Sequence, residues 1–171
     1  ELRRRVLGPE HPDTTRTANE VGALLSQQGR SSEANELLES ALETRRRLLG
    51  DEHADTLDSM HTLGMHHARN NDLIEAEDYF NTVLSMRVRT LPTDHPDIIR
   101  SRNNVGWMLG RQGRHQEAEQ HYRQAIGAGR RVLGDEHSVT INGIAGLADV
   151  LLMQQKLNEA EPMLMEVLAA L

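Results

Sequence analysis

Nine histidines and no cysteine bound the chemistry open to this 171-residue chain. Without thiols there can be no disulfide, thiolate metal site or cysteine nucleophile. His61, His66 and His67 lie close enough in sequence to suggest a metal site, but helical residues five apart stand about 140° from each other around the axis and cannot easily share an ion. His67 also stands where the chain elsewhere repeats leucine, as at Leu25 and Leu109, so packing is expected of it rather than ligation. His11, His53, His95 and His137 recur at one fixed interval, forty-two positions, in what reads as a loop, where they cap or pack. There is no HExxH motif, and Gly106-x-x-x-Gly110-x-x-Gly113 lacks the Lys-Ser/Thr and the preceding strand of a phosphate loop. Ser, His and Asp occur together without the surroundings of an activated nucleophile. The expectation is a chain that is not an enzyme and needs no metal or cofactor.

Recognition chemistry is better represented. Arg100, Asn103, Trp107 and Arg111 are spaced by three, four and four, so they return to one stripe of a helix. An indole one turn from a guanidinium and from an amide is the kind of anchor that dominates interfaces. An amide offers both a donor and an acceptor to an extended backbone. At the interval set by the histidines, the equivalent stripes are Arg16, Asn19, Ala23 and Gln27; Asp58, His61, Met65 and Arg69; and Asn142, Ala145, Asp149 and Met153. These stripes hold four Arg against two Asp, although the chain carries 19 basic and 26 acidic residues and a net charge of −7. An acidic ligand is therefore expected, since Arg binds carboxylates in a fork and a concave wall limits screening. The alternatives are that the Arg residues are consumed by structural ion pairs, for instance with Glu20, and that Trp107 packs against a neighbouring unit.

The elements that must position these stripes are plain in the repeat. Leu7, Leu49, Leu91 and Leu133 share the interval of the histidines, as do Ala34, Ala76, Ala118 and Ala160. Each unit reads as helix, tight turn, helix. In the third, His95-Pro96-Asp97 suits a helix N-terminus, with Pro in the first turn and an acidic residue at the positive end of the dipole. Ile98, Val105, Met108 and Leu109 then recur at helical spacing until Gly113. The second helix is expected from about Gln116 to Leu133, closed by Gly134, with a weak point at Gly127 and Gly129, each costing about 1 kcal/mol relative to Ala. Gly22, Gly64, Gly106 and Ala148 keep one position of the first helices small, as close approach of paired helices demands. Neither helix can bury its apolar stripe alone, so units must stack.

These residues resemble the tetratricopeptide repeat, and most closely its 42-residue variant in kinesin light chains and many bacterial proteins. The resemblance rests on Leu133-Gly134-Asp135-Glu136-His137 and its copies from Leu7 and Leu49, on Asn103-Asn104-Val105-Gly106, and on Gln112-Gly113-Arg114 followed by Glu117-Ala118-Glu119. It implies an all-α, right-handed superhelical solenoid of antiparallel helix hairpins, forming a single array over 1–171. Residues 1–10 would end a preceding repeat, followed by repeats at 11–52, 53–94 and 95–136 and a truncated one at 137–171. It also implies a protein- or peptide-binding scaffold whose first helices line a concave groove. Kinesin light chains line that groove with Asn and take short peptides in which Trp is flanked by acidic residues. Here the match falls on Asn19, Asn103 and Asn104, and fails at His61 and Thr62 and at Ala145 and Gly146.

The expected groove residues are thus Arg16, Asn19, Asp58, His61, Met65, Arg69, Arg100, Asn103, Asn104, Trp107, Arg111 and Asp149. Nucleic acid is not an expected partner, because the net charge repels phosphate backbones and the runs Arg3–Arg5 and Arg45–Arg47 sit at helix C-termini, where solvated cations match the dipole. A membrane is not expected either, since no stretch approaches about 18 apolar residues. The start, Glu1-Leu2-Arg3-Arg4-Arg5, is no signal peptide, so a cytoplasmic setting is expected for what reads as a piece of a longer protein. Two other functions compete with groove binding. One is self-association through exposed ends, since Glu161–Leu171 carries Met163, Leu164, Met165, Val167, Leu168 and Leu171 without a polar capping face. The other is a regulatory array within a larger signalling enzyme, such as a bacterial kinase or nucleotidase.

Overall fold

The structure is a computed structural model that describes Leu2–Ala170, with side chains from Arg5 onward. Its described residues form nine helices and no strand, packed as consecutive antiparallel pairs. The chain divides into two compact units, Glu1–Tyr79 and Phe80–Leu171.

In the first unit α1 (Leu2–Leu7) leads into the hairpin of α2 (Pro12–Gln27) and α3 (Ser31–Leu49), followed by α4 (Ala54–Arg69) and the start of α5 (Leu73–Thr90). α2 packs on both α3 and α4. In the second unit the end of α5 is followed by α6 (Pro96–Arg111) paired with α7 (His115–Val132), then α8 (Ser138–Met153) paired with α9 (Leu157–Ala169). α8 packs on α6 as well as on α7.

The repeating histidines cap the first helices. Nδ1 of His11, His53, His95 and His137 accepts the backbone N–H two residues on, at 3.1–3.2 Å. This is the work usually done by Ser, Thr, Asp or Asn, and it requires an Nδ1 without a proton. Asp13, Asp55 and Asp97 then lie in the first turn, where the helix dipole favours an anion. The turn inside each hairpin needs a left-handed residue, and Gly29, Asn71, Gly113 and Gln155 supply it with φ between 60° and 77°. Between hairpins Gly8, Gly50 and Gly134 take φ of 87–94°, but the equivalent position 92 is Pro, whose ring forbids that conformation, and the left-handed turn moves to Asp94 (φ 67°).

The small positions are explained by packing. A Cβ on Gly22 would stand 2.6 Å from Leu38 Cγ, and one on Gly106 3.1 Å from the Tyr122 ring. The cores lie between the helices so joined: Ala34, Leu38, Met60 and Leu63 in the first unit, and Phe80, Ile99, Met108, Ile144 and Leu147 in the second. Contrary to the expectation of a weak point, α7 runs unbroken through Gly127 and Gly129. Gly129 is where Thr140 of α8 makes its closest approach, 2.7 Å from an added Cβ, so the missing side chain is used for packing.

Polar contacts fasten adjacent hairpins. Arg45 is 6 % exposed, and its Nη1 donates to Asp55 O (2.6 Å) and Ser59 Oγ (2.7 Å). Arg87, 5 % exposed, repeats the arrangement on Asp97 O (3.5 Å) and Ser101 Oγ (3.0 Å). This corrects the reading of Arg45–Arg47 as a solvated run. Arg46 and Arg47 are surface residues paired with Asp51 and Glu10, but Arg45 turns inward. The side chains of Arg3 and Arg4 lie outside the described residues, and Arg5 is exposed. At the other end of the second unit, Glu119 of α7 accepts from Lys156 (2.8 Å), Arg123 (2.8 Å) and Gln154 (3.0 Å). Burial opposes ionisation of this carboxyl, but the three donors outweigh it and bring its pKa down to about 2.

Candidate functional site

The expected recognition residues fall on the first helices of the hairpins and are treated unit by unit. In the second unit α6 carries Arg100 and Arg111, both exposed, and Asn103, Asn104 and Trp107, all half-buried; Asp149 on α8 is exposed. The Trp107 indole meets Phe80 edge to face at 6.4 Å, and the Arg111 guanidinium lies 5.3 Å from its ring centroid. The aromatic is thus rooted in the core while part of it stays at the surface under a cation, an arrangement that holds both groups in place. Arg100 reaches back to Asp97 at 3.4 Å.

In the first unit α2 carries Arg16, which is exposed, and Asn19, which is half-buried. α4 carries exposed Asp58 and Arg69 with half-buried His61 and Met65. Arg16 pairs with Asp13 at 2.5 Å rather than with Glu20. Both this pair and Arg100–Asp97 link residues three apart on an exposed surface, where an ion pair contributes about 0–1 kcal/mol and a ligand carboxylate can replace it.

The asparagines are committed differently from the arginines. Asn19 Nδ2 donates to Thr62 Oγ1 (3.2 Å) on α4, and Asn103 Nδ2 donates to Val139 O (2.8 Å) on α8. Each amide donor therefore joins one first helix to the next, and each Oδ1 is buried without a partner. A Cβ on Gly143 would lie 2.9 Å from Asn103 Oδ1, and one on Gly146 would lie 2.3 Å from Tyr122 Cζ. The Asn pattern breaks at Gly146 because the phenol end of Tyr122 fills that space. Burial, with Asp149 nearby, raises the Tyr122 pKa, so the phenol stays neutral.

The histidine cluster of the first unit serves packing and hydrogen bonding. His66, 2 % exposed, has Nδ1 2.9 Å from Ser26 Oγ and Nε2 3.1 Å from Asn70 Nδ2. Asn70 Oδ1 accepts from Ser31 (2.7 Å), so its amide nitrogen is the donor toward His66 and the imidazole proton is assigned to Nδ1. Burial lowers the His66 pKa, and His67 adds to the effect. His67 stacks on Tyr79 with centroids 5.7 Å apart, its Nδ1 3.5 Å from Asp72. Among the described residues no three His, Asp or Glu side chains are grouped to hold a metal, and no helix is long and apolar enough to cross a membrane.

Hairpins capped by histidine, turned on a left-handed residue and repeated along the chain at one interval make a helical-repeat protein. The tetratricopeptide repeat matches residues 1–47, 33–87 and 55–128, and the chain belongs to that family. Such domains are generally protein–protein interaction modules and typically non-catalytic. Among solved structures, the chain is similar to the nearly identical TPR-like repeats of a kinesin light chain-type protein from Podosopora anserina. Identity is 25 % and the TM-score 0.81, over 99 % of this chain and 80 % of that one. A second structure of those repeats gives a TM-score of 0.79 at the same identity and coverage. BtubC (BKLC) from P. vanneervenii shares the fold, with 16 % identity and a TM-score of 0.82 over 92 % of this chain and 62 % of that one. The comparison with curated proteins found no match.

Proposed function

We propose that the chain is a peptide-binding scaffold in which the exposed faces of the first helices take an extended, acidic segment of a partner protein. The observation that carries this reading is the α6 face. Arg100 and Arg111 are exposed there on either side of Trp107, and a half-buried indole beside two guanidinium groups suits an apolar side chain flanked by carboxylates. Arg16 on α2 and Arg69 on α4 give the first unit cations of its own for the same chemistry. Asn19 and Asn103 contribute by holding neighbouring first helices at fixed spacing, since their donors are engaged between helices. Asn104, Asp58, His61, Met65 and Asp149 complete the proposed faces, with Asp58 and Asp149 as their acidic members.

The test is a fluorescence-anisotropy titration with a labelled peptide carrying Trp between Asp and Glu residues, beside the same peptide with Lys in place of the acids. Saturable binding of the acidic peptide alone, weakening as salt rises, is expected. Equal binding of both peptides, or none, would reject the reading.

A second reading, self-association, is favoured by one feature. Leu157, Met165 and Leu168 of α9 are 61–65 % exposed, and Met153 at the end of α8 is 70 % exposed. Leu171 lies outside the described residues. Sedimentation velocity over a hundredfold dilution separates the two readings, because self-association through these side chains requires a concentration-dependent mass.

A further inference from the structure

The segment from Leu91 to Val132 departs from the repeat at several places, and the departures meet in one cavity of the second unit. The loop before α6 reads Leu91-Pro92-Thr93-Asp94-His95, where the others read Leu-Gly-x-Glu-His. On α6, Arg102 stands at a position held by Ala18, Met60 and Ile144 elsewhere. On α7, Gly127 and Ala128 replace the pairs Glu43-Thr44 and Ser85-Met86. Thr93, Asp94, Arg102, Gly127 and Ala128 all line a cavity of about 500 Å³, closed on its apolar side by Val88, Ile98 and Ile99. That volume lies in the range of small-molecule sites, roughly 300–1,000 Å³.

The charges of the lining leave one cation unmatched. Asp94 is paired with Arg131 at 2.8 Å, and Arg123 is held between Glu119 (2.8 Å) and Glu159 (2.6 Å). Arg102 donates through Nη1 to Gln124 Oε1 and has no carboxylate partner among the described residues. Its Nε and Nη2 edge therefore remains for a ligand, and a planar guanidinium edge matches a carboxylate with two parallel hydrogen bonds. Arg102 is about 200° around α6 from Arg100, so this cavity opens on the opposite side of the helix from the proposed peptide face.

We infer that this cavity binds a small organic carboxylate with an apolar body. Arg102 takes the carboxylate, while Val88, with the accessible edges of Ile98 and Ala128, meets the body. Gly127 supplies room that a side chain would fill, since an added Cβ there meets only the end of Arg131 at 3.7 Å. Val88, half exposed, supplies most of the accessible apolar surface of the lining, and a bare inorganic anion would satisfy Arg102 but leave that side chain in water, so the apolar body is part of the assignment.

The experiment is a ¹H–¹⁵N correlation titration of the whole chain with octanoate, 4-phenylbutyrate, 4-phenylbutyramide and inorganic phosphate. At least one of the two carboxylates should give saturable shifts at the Gly127 and Ala128 amides, with the neutral amide and phosphate binding at least tenfold more weakly. Arg102→Met and Gly127→Glu install residues that other repeats carry at those positions. Each should keep the melting temperature while weakening the carboxylate at least tenfold. Binding of the acidic peptide should be unchanged in both variants, which separates this cavity from the α6 face. Absence of saturable shifts with both carboxylates would overturn the assignment, as would folded variants that bind like the parent, or amide or phosphate binding as well as the carboxylates.

Discussion

At the scale of single residues, the inward turn of Arg45 and Arg87 has the largest structural consequence. Each guanidinium is buried and donates across to the first helix of the next hairpin, and hydrogen bonds of a charged group to buried partners contribute about 1.5–3 kcal/mol. Arg45→Ala should lower stability by about 2–3 kcal/mol in urea unfolding, because it also empties a packed position. Truncation of exposed Arg46 should cost less than about 1 kcal/mol. Equal losses for the two would show that Arg45 is not the fastener described. Gln155 offers the opposite sign. It sits at φ 60° where two other repeats use Gly, so Gln155→Gly should raise stability by about 0.5–1 kcal/mol, read as a higher melting temperature. A fall in melting temperature would mean that side-chain contacts of Gln155 outweigh its backbone strain.

Elements answer to pH through the groups that join them. His66 bridges Ser26 on α2 and Asn70 at the end of α4, and His121 lies on α7; burial lowers the pKa of both. A histidine with a lowered pKa favours its neutral form in the folded state. Its contribution is thus complete above the ordinary value of about 6.5 and lost as pH falls below it. The melting temperature should fall by a few degrees between pH 7.5 and 5.5, and the double variant His66→Gln, His121→Gln should show a shallower slope. An unchanged slope would place the sensitivity elsewhere. Glu119 acts in a lower window, its contribution being full above about pH 4.5 and lost as pH falls toward 2.

Most of these elements were legible in the sequence, and the reasons are specific. Histidine followed by Pro-Asp, a glycine stop and a small residue against a large one are local signals, and the caps, turns and Gly22–Leu38 and Gly106–Tyr122 contacts realise them. The inward arginines were hidden because Arg near a helix C-terminus reads the same whether it meets solvent or the next hairpin. The signal that could have found them is paired loss: Arg45 and Arg87 become Gly129 where Ser59 and Ser101 become Gly143. The Arg100, Asn103, Trp107 and Arg111 stripe was legible as one helix face, but the commitment of the asparagine amides was not. A helical wheel locates Asn19 and Asn103 without showing that Thr62 and Val139 O stand within reach. Continuity of α7 also escaped a propensity argument, because Gly129 serves a close approach to Thr140 that only the packed pair reveals.

At the scale of the whole molecule, the first helices of each unit carry exposed polar and charged residues, and within each unit second helices pack against them. The net charge of −7 would oppose an acidic ligand if it were spread evenly, but the proposed faces concentrate Arg16, Arg69, Arg100 and Arg111. Attraction to such a ligand should therefore be local and strongly salt-dependent. The most direct measurement is an unbiased selection of binders from a random peptide library, run on the parent chain and on the variant Arg100→Ala, Trp107→Ala. Both must first be shown to melt at similar temperatures. Recognition by the proposed faces predicts that the parent enriches peptides with an apolar or aromatic residue flanked by Asp and Glu, and that the variant loses that enrichment by tenfold or more. Enrichment of peptides without acidic character, or the same peptides retained by the folded variant, would contradict it.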